Sequence, residues 1–285
     1  TEPLGCGWSG TAALDARTGR DMHVEGVFTN ALTASLRAAK RFGDDHNLSL
    51  MLIVPPSVRG TRLSSAEEAF RLTGDRLYNP AWGFQHGKVR NSRVRREFVP
   101  LAVVSYRMPV SQSTSLAADF SAEYGTRKYS ALGWYDARTP MPDNYRYLPG
   151  YTGDRETEQA WRAGDARYTQ IDWAELYRRN RMQPDGEALY ALEDRVERPL
   201  RMQTAIRIES EVDPQLTVAC ALRVDYDAPR RYKQLRDLLG AGRLTDIDHF
   251  LLDDATYSNR LQNDLRHPDR TVGEGDRFGY DYRTV

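Results

Sequence analysis

The chain has no apolar run near the ~20 residues that a transmembrane helix needs, and its mean hydropathy is −0.66. A helical membrane protein is therefore excluded, while a membrane β-barrel is not, because only alternate strand residues of a barrel face lipid. It also lacks a charge excess: Lys plus Arg and Asp plus Glu stand at 40 each among 285 residues. No global field points to nucleic acid. Two cysteines, Cys6 and Cys220, give neither metal-ligand spacing nor a disulfide framework. Thr1 opens the sequence without an initiator methionine or an apolar signal segment, and the chain reads as a fragment or processed piece.

Catalytic patterning is missing as well. His23, His46, His86, His249 and His267 are scattered with no adjacent nucleophile motif. Asp246, Asp248, Asp253 and Asp254 lack the spacing and glycine of an EF-hand, so they read as a solvated acidic loop. No enzyme, no metal and no cofactor is expected.

What the chain does have is alternation. From Leu200 to Tyr226 two period-two runs flank Asp213-Pro214-Gln215. Leu200, Met202, Ile206 and Ile208 share one face of the first, and Leu216, Val218, Cys220, Leu222 and Val224 one face of the second. Arg207, Glu209, Arg223 and Asp225 fall on the other face. Such a pattern is a strand hairpin with one apolar and one polar side.

Two further hairpins are expected. Residues Phe28 to Phe42 turn at 43–47 and return through Leu48 to Val54 until Pro55-Pro56. A second pair runs from about Phe98 to Met108 and from Leu116 to Tyr124, with Glu123 on its polar side. Residues 1–26 read as irregular. Short helices are expected after Ser65-Ala66-Glu67-Glu68 and after Asp172-Trp173-Ala174-Glu175, both with capping-box spacing, and over Tyr232 to Leu239 before Gly240.

Three hairpins thus give about six strands, with every tight turn at one end and every connection of forty to seventy residues at the other. That asymmetry is expected of outer-membrane barrels with short periplasmic turns and long extracellular loops. The fold class read from the sequence is all-β: a segment of an antiparallel transmembrane barrel with helix-bearing extracellular loops. Two alternatives share the strand pattern: a soluble sheet protein that binds carbohydrate, and a non-transporting barrel used for adhesion or as a scaffold. Six strands fall short of the ~8 that close the smallest bacterial barrels, so the piece alone is expected neither to fold stably nor to transport.

One segment, Tyr78-Asn79-Pro80-Ala81-Trp82-Gly83-Phe84 through Arg93, precedes Ala131-Leu132-Gly133-Trp134-Tyr135-Asp136 and Tyr147-Leu148-Pro149. Gln262 to Arg266 and Glu274 to Tyr280 follow in the same order. Together they resemble the barrel region of TonB-dependent outer-membrane receptors from Bacteroidetes-type bacteria, over about residues 26 to 285. The resemblance implies a barrel of about 22 strands plugged by an N-terminal domain. It also implies import of a glycan, peptide or metal chelate driven through TonB, in the cell outer membrane. Plug and TonB-contacting segment are not among these residues. Implied partners are outer-membrane lipid, the TonB complex through the N-terminal region, and a surface lipoprotein, with no nucleic acid. Candidate ligand contacts are the flat and basic loop residues Tyr78, Trp82, Phe84, Arg90, Arg93, Trp134, Tyr135, Tyr145 and Tyr147.

Overall fold

In the computed structural model, which describes residues 2–43, 45–248, 262–267 and 270–285, alternation becomes sheet over most of the chain. The strands are β1 (Glu2–Gly5), β2 (Trp8–Arg20), β3 (Phe28–Phe42), β4 (His46–Val54), β5 (Ser57–Gly60), β6 (Trp82–Gln85), β7 (Lys88–Asn91), β8 (Val94–Phe98) and β9 (Leu101–Pro109). They continue with β10 (Thr114–Tyr124), β11 (Thr126–Trp134), β12 (Tyr190–Arg198), β13 (Leu200–Asp213), β14 (Leu216–Asp227), β15 (Arg230–Asp237), β16 (Leu244–Thr245), β17 (Thr271–Val272) and β18 (Arg277–Arg283). Short helices sit between strands: α1 (Glu67–Thr73), α2 (Pro149–Thr152), α3 (Arg155–Arg162), α4 (Ala166–Thr169) and α5 (Trp173–Arg181).

Fourteen strands form one antiparallel sheet, and their registers make it simpler than the count suggests. β5 continues β4 past Pro55-Pro56, and both pair with β3 in one register. β8 and β9 are one line interrupted at Val99-Pro100, β10 and β11 one line interrupted at Gly125, β12 and β13 at Pro199, and β14 and β15 at Ala228-Pro229. From β2 to β18 the sheet is therefore an up-and-down meander of eight lines in sequence order, with the short β1 on the outer edge of β2. Proline has no N–H to give the ladder, which accounts for every interruption except that at Gly125. Gly125 passes so close to its neighbour that an added Cβ would lie 2.1 Å from the Phe98 carbonyl oxygen.

Four tight turns lie at one end: at Cys6-Gly7, between β3 and β4, at Val110 to Ser113, and at Pro214-Gln215, where Asp213 accepts the Gln215 N–H at 2.8 Å. At Gly7 only glycine fits, because φ is 79° and a Cβ would meet the Arg41 carbonyl oxygen at 2.3 Å. The long connections all lie at the other end. The sheet does not close into a barrel, since β2 and β14 each keep an unpaired edge over much of their length.

Several expectations need correction. The strand lines number eight rather than six, and residues 8–20, read as irregular, form β2 along the whole of β3. Its apolar face includes the small Gly10, Ala12 and Ala16, so the period is faint. Residues 130–134 and 190–198, assigned to a connection, are strands, as is β15 where a helix was expected over 232–239. Helix-forming Lys, Gln, Leu and Arg yield there to ladders on both sides, with β12 and β18. Positive φ at Leu239 and Gly240 ends that strand instead of capping a helix.

α5 is capped as expected, Asp172 accepting from the Glu175 N–H at 2.9 Å. α1 forms without the expected Ser65–Glu68 box: Ala66 is its N-cap, and Glu68 accepts the Gly150 N–H at 2.7 Å instead.

The buried core lies at the long-connection end. Trp173, Ile171 and Leu176 pack on Leu132, Tyr190 and Leu192, while Trp161 joins Ala69, Leu72, Tyr78 and Leu148. Leu235, Leu244, Val272 and Phe278 form a third cluster around Tyr135 and Ala191. Towards the turns no such cluster covers the sheet. There Leu14, Leu36, Leu50, Ile208, Leu222 and Val224 are 72, 56, 51, 45, 64 and 59 % exposed.

Candidate functional site: a charged trough beneath an aromatic loop layer

Register decides which side chains share a face. Pairings such as Leu36↔Leu52, Leu50↔Val104, Val104↔Phe120, Ala118↔Ile206 and Ile206↔Leu222 align one apolar face across β3, β4, β9, β10, β13 and β14, and Ala12↔Leu36 extends it to β2. Among the described residues of these strands that face bears one charge between the turns and the breaks, Lys40, which stands 4.8 Å over the Trp8 ring at the turn end. At ~4.8 Å per strand and ~3.4 Å per residue, seven strands of about ten residues span on the order of 1,000 Å². Contiguous apolar patches on soluble monomers stay at a few hundred.

The opposite face holds the charge. Arg107 and Asp119 lie 3.8 Å apart, Arg207 and Glu209 2.6 Å, and Arg223 and Asp225 2.9 Å. Glu123, expected on the polar side, is there too. Three adjoining cavities of about 460, 210 and 290 Å³ lie against this face; Glu123 lines the first two, and Glu97 and Arg127 the last two.

An alternating ion chain ties the trough together across six strands. Arg201 Nε lies 3.3 Å from Asp227 and Arg201 Nη1 4.0 Å from Glu123; Arg127 bridges Glu123 at 2.6 Å and Glu197 at 2.9 Å; Arg231 holds the second Glu197 oxygen at 2.9 Å. Desolvation raises the Glu197 carboxyl, but the bonds from Arg127 and Arg231 outweigh it and hold the group below the usual carboxylate range. Further up the same face Lys233 Nζ sits 2.9 Å from Glu193 Oε2, which also accepts from the Tyr135 hydroxyl at 3.1 Å. Asp246 closes this seam 4.0 Å from Lys233, and burial raises its carboxyl against the pull of that lysine. The arrangement offers paired donors and acceptors to a polar solute, and among the described residues no group of three or more His, Cys, Asp or Glu is placed to hold a metal ion.

Arg95, Arg195, Glu197 and Arg231 lie in segments whose local pattern reads as connection, and Glu97 and Arg127 just outside the expected strands. The signal that finds them is parity: Arg127 and Tyr129 continue the odd-numbered face of Glu123 across Gly125, and Glu197 and Arg195 continue that of Arg201 across Pro199.

The nine loop candidates divide. Tyr78, Trp82 and Tyr135 are buried, with the Tyr78 hydroxyl donating to the Thr169 carbonyl and Trp82 against Gly26. Trp134 packs at the edge of the cluster around Trp173. Arg90 lies over the Trp173 ring at 4.1 Å and reaches Asp237 at 2.7 Å, Gln85 at 2.7 Å and the Tyr177 hydroxyl at 3.2 Å. It clamps α5 to β15. Arg93 lies 5.7 Å from the Tyr129 ring, and the Tyr147 hydroxyl donates to the Thr139 carbonyl. Phe84 and Tyr145 are 51 and 55 % exposed, and Tyr145 meets Tyr151 edge-on at 5.4 Å with Arg146 against it. His249, Asp253 and Asp254 lie outside the described residues.

Comparison with models of protein families, with curated proteins and with solved structures finds no match for this chain.

Proposed function

We propose that the turn-side half of this sheet is a section of outer-membrane barrel wall, its apolar face against lipid and its charged face towards the lumen. The observation that carries the reading is the segregation of charge: six strand lines beyond β2 present exposed Leu, Ile, Val and Phe on one side and ion pairs on the other. In water the apolar face would cost ~25 cal/mol per Å² left uncovered, whereas hydrocarbon removes that cost. Strand lengths agree, since β10, β13 and β14 have 11, 14 and 12 residues and a tilted strand needs ~9–11 to cross. The unpaired edges of β2 and β14 then require further strands, for exposed ladder groups are not tolerated in lipid.

Within that wall the protein acts as a TonB-dependent receptor importing a polar ligand, a glycan, peptide or metal chelate. The sequence resemblance supports this, together with a trough lined by alternating charge and an outer layer with exposed Phe84, Tyr145 and Tyr151. TonB, membrane lipid and a surface lipoprotein are the corresponding partners. The test is fractionation of cells expressing the full-length protein, followed by electrophoresis with and without heating. An outer-membrane protein whose mobility shifts on heating is expected. A cooperatively folding soluble monomer in plain buffer would overturn the barrel and favour a soluble sheet.

A further inference from the structure

Beyond the Pro/Gly breaks the face that is apolar towards the turns becomes basic. By register that face carries Arg96 of β8, Lys128 of β11, Arg198 of β12, Arg230 of β15, and Arg277 and Arg283 of β18. Two carboxylates share it. Asp281 is taken by Arg230 at 2.6 Å and Arg277 at 3.1 Å, and Asp194 faces Arg236 at 3.5 Å. Lys128 donates to the Gln234 amide at 3.0 Å and Arg198 to the Tyr124 hydroxyl, and neither contact neutralises the cation. Arg96 Nη1 and Arg198 Nε are buried donors with no acceptor. Desolvation, with the neighbouring Arg236 charge, holds the Arg96 guanidinium below its usual range. With Arg236 the strip sets seven cations against these two carboxylates.

We propose that this strip binds the phosphate groups of anionic lipid in the leaflet on the long-connection side, a reading that rests on the bilayer placement above. The geometry selects lipid among anions. Arg198 is two residues from the half-buried Leu200 and four from the exposed Met202, and Arg230 is four from the exposed Tyr226, so a phosphate held at these cations has its acyl chains over apolar side chains. A free anion satisfies the cations alone. An acidic protein would leave the adjoining apolar band uncovered.

The full-length protein, extracted from membranes, is placed in nanodiscs of phosphatidylcholine alone or with one-fifth phosphatidylglycerol. Native mass spectrometry then counts retained lipid. Wild type retains phosphatidylglycerol and melts higher in the mixed discs. A Lys128→Gln, Arg198→Gln, Arg230→Gln variant loses the preference by on the order of 100-fold, about fivefold per cation. Arg283→Glu, at an exposed position, weakens it without disturbing buried contacts. Equal retention of the two lipids by wild type, or retention unchanged in both variants, overturns the proposal while leaving the wall intact. Stabilisation by inorganic phosphate in neutral discs equal to that by phosphatidylglycerol overturns it in favour of a generic anion site. Failure of wild type to enter any bilayer removes the wall and this proposal together.

Discussion

Leu222→Arg is the substitution that most directly asks which solvent meets the apolar face. Leu222 lies near the middle of β14, 64 % exposed, opposite Ile206 and away from every charged neighbour on its face. If that face is in water, the change removes little packing and adds a solvated side chain, within ~0.5 kcal/mol of neutral. If it is in hydrocarbon, an arginine at the midplane costs ~2–4 kcal/mol. At 1.36 kcal/mol per decade that is about 30- to 900-fold in the folding equilibrium. Arg223→Leu is the matched control: it breaks only the exposed Arg223–Asp225 pair, worth ~0–1 kcal/mol. Folding from urea into phosphatidylcholine vesicles, read by the heat-dependent mobility shift, measures both in the full-length protein. Leu222→Arg is expected to fold far less well than Arg223→Leu. Equal yields, or the reverse ranking, would refute the facing assignment.

Gly125→Ala should cost ~1–3 kcal/mol, because its methyl meets the Phe98 carbonyl and Val99 Cα rather than a movable side chain; a lowered unfolding midpoint checks it. Trp82→Ala should destabilise by ~3–5 kcal/mol as a buried aromatic, while Phe84→Ala and Tyr145→Ala leave stability within ~1 kcal/mol and reduce ligand uptake. Unchanged uptake in the latter pair would remove the loop surface as the ligand contact. Because the folded Glu197 carboxyl lies below its ordinary value of 4.5, its contribution is present above that pH and lost as pH falls through the folded value. Glu197→Gln should therefore lower the melting temperature at pH 7 and make little difference near pH 2.

Long two-faced strands were readable because Leu, Ile and Val alternate with charge over ten residues, as in β13 and β14. β2 was hidden by alanine and glycine, whose apolar face carries too little contrast to register as a period. β11, β12 and β15 were hidden for another reason: their outward face is covered by the loop layer or turns basic, so both faces mix polar and apolar residues. Arg90 shows the limit at the site. Its basic, aromatic surroundings read as a ligand surface, but its partners Trp173, Tyr177 and Asp237 are 83, 87 and 147 positions away in the chain. Local pattern contains no term for such contacts, and the ring stacking that suits ligand capture suits packing equally well.

The line of breaks ties these features into one account. Pro56, Pro100, Pro199 and Pro229 each remove a ladder donor, and with Gly125 on the line between Pro100 and Pro199 they fall at nearly one register. Every missing donor leaves a facing carbonyl short of a partner, which water supplies and hydrocarbon does not. On the proposed bilayer placement such a row is incompatible with the hydrocarbon core and falls at its surface or beyond. The outward face agrees residue by residue: towards the turns from the breaks it is charge-free as far as Lys40, and beyond them Arg198 and Arg230 appear within two positions of a proline. The covering helices and buried clusters begin on that same side. A soluble sheet would have no reason to change its outer chemistry, its cover and its ladder along a single line, whereas a strand passing from hydrocarbon into water must change all three together.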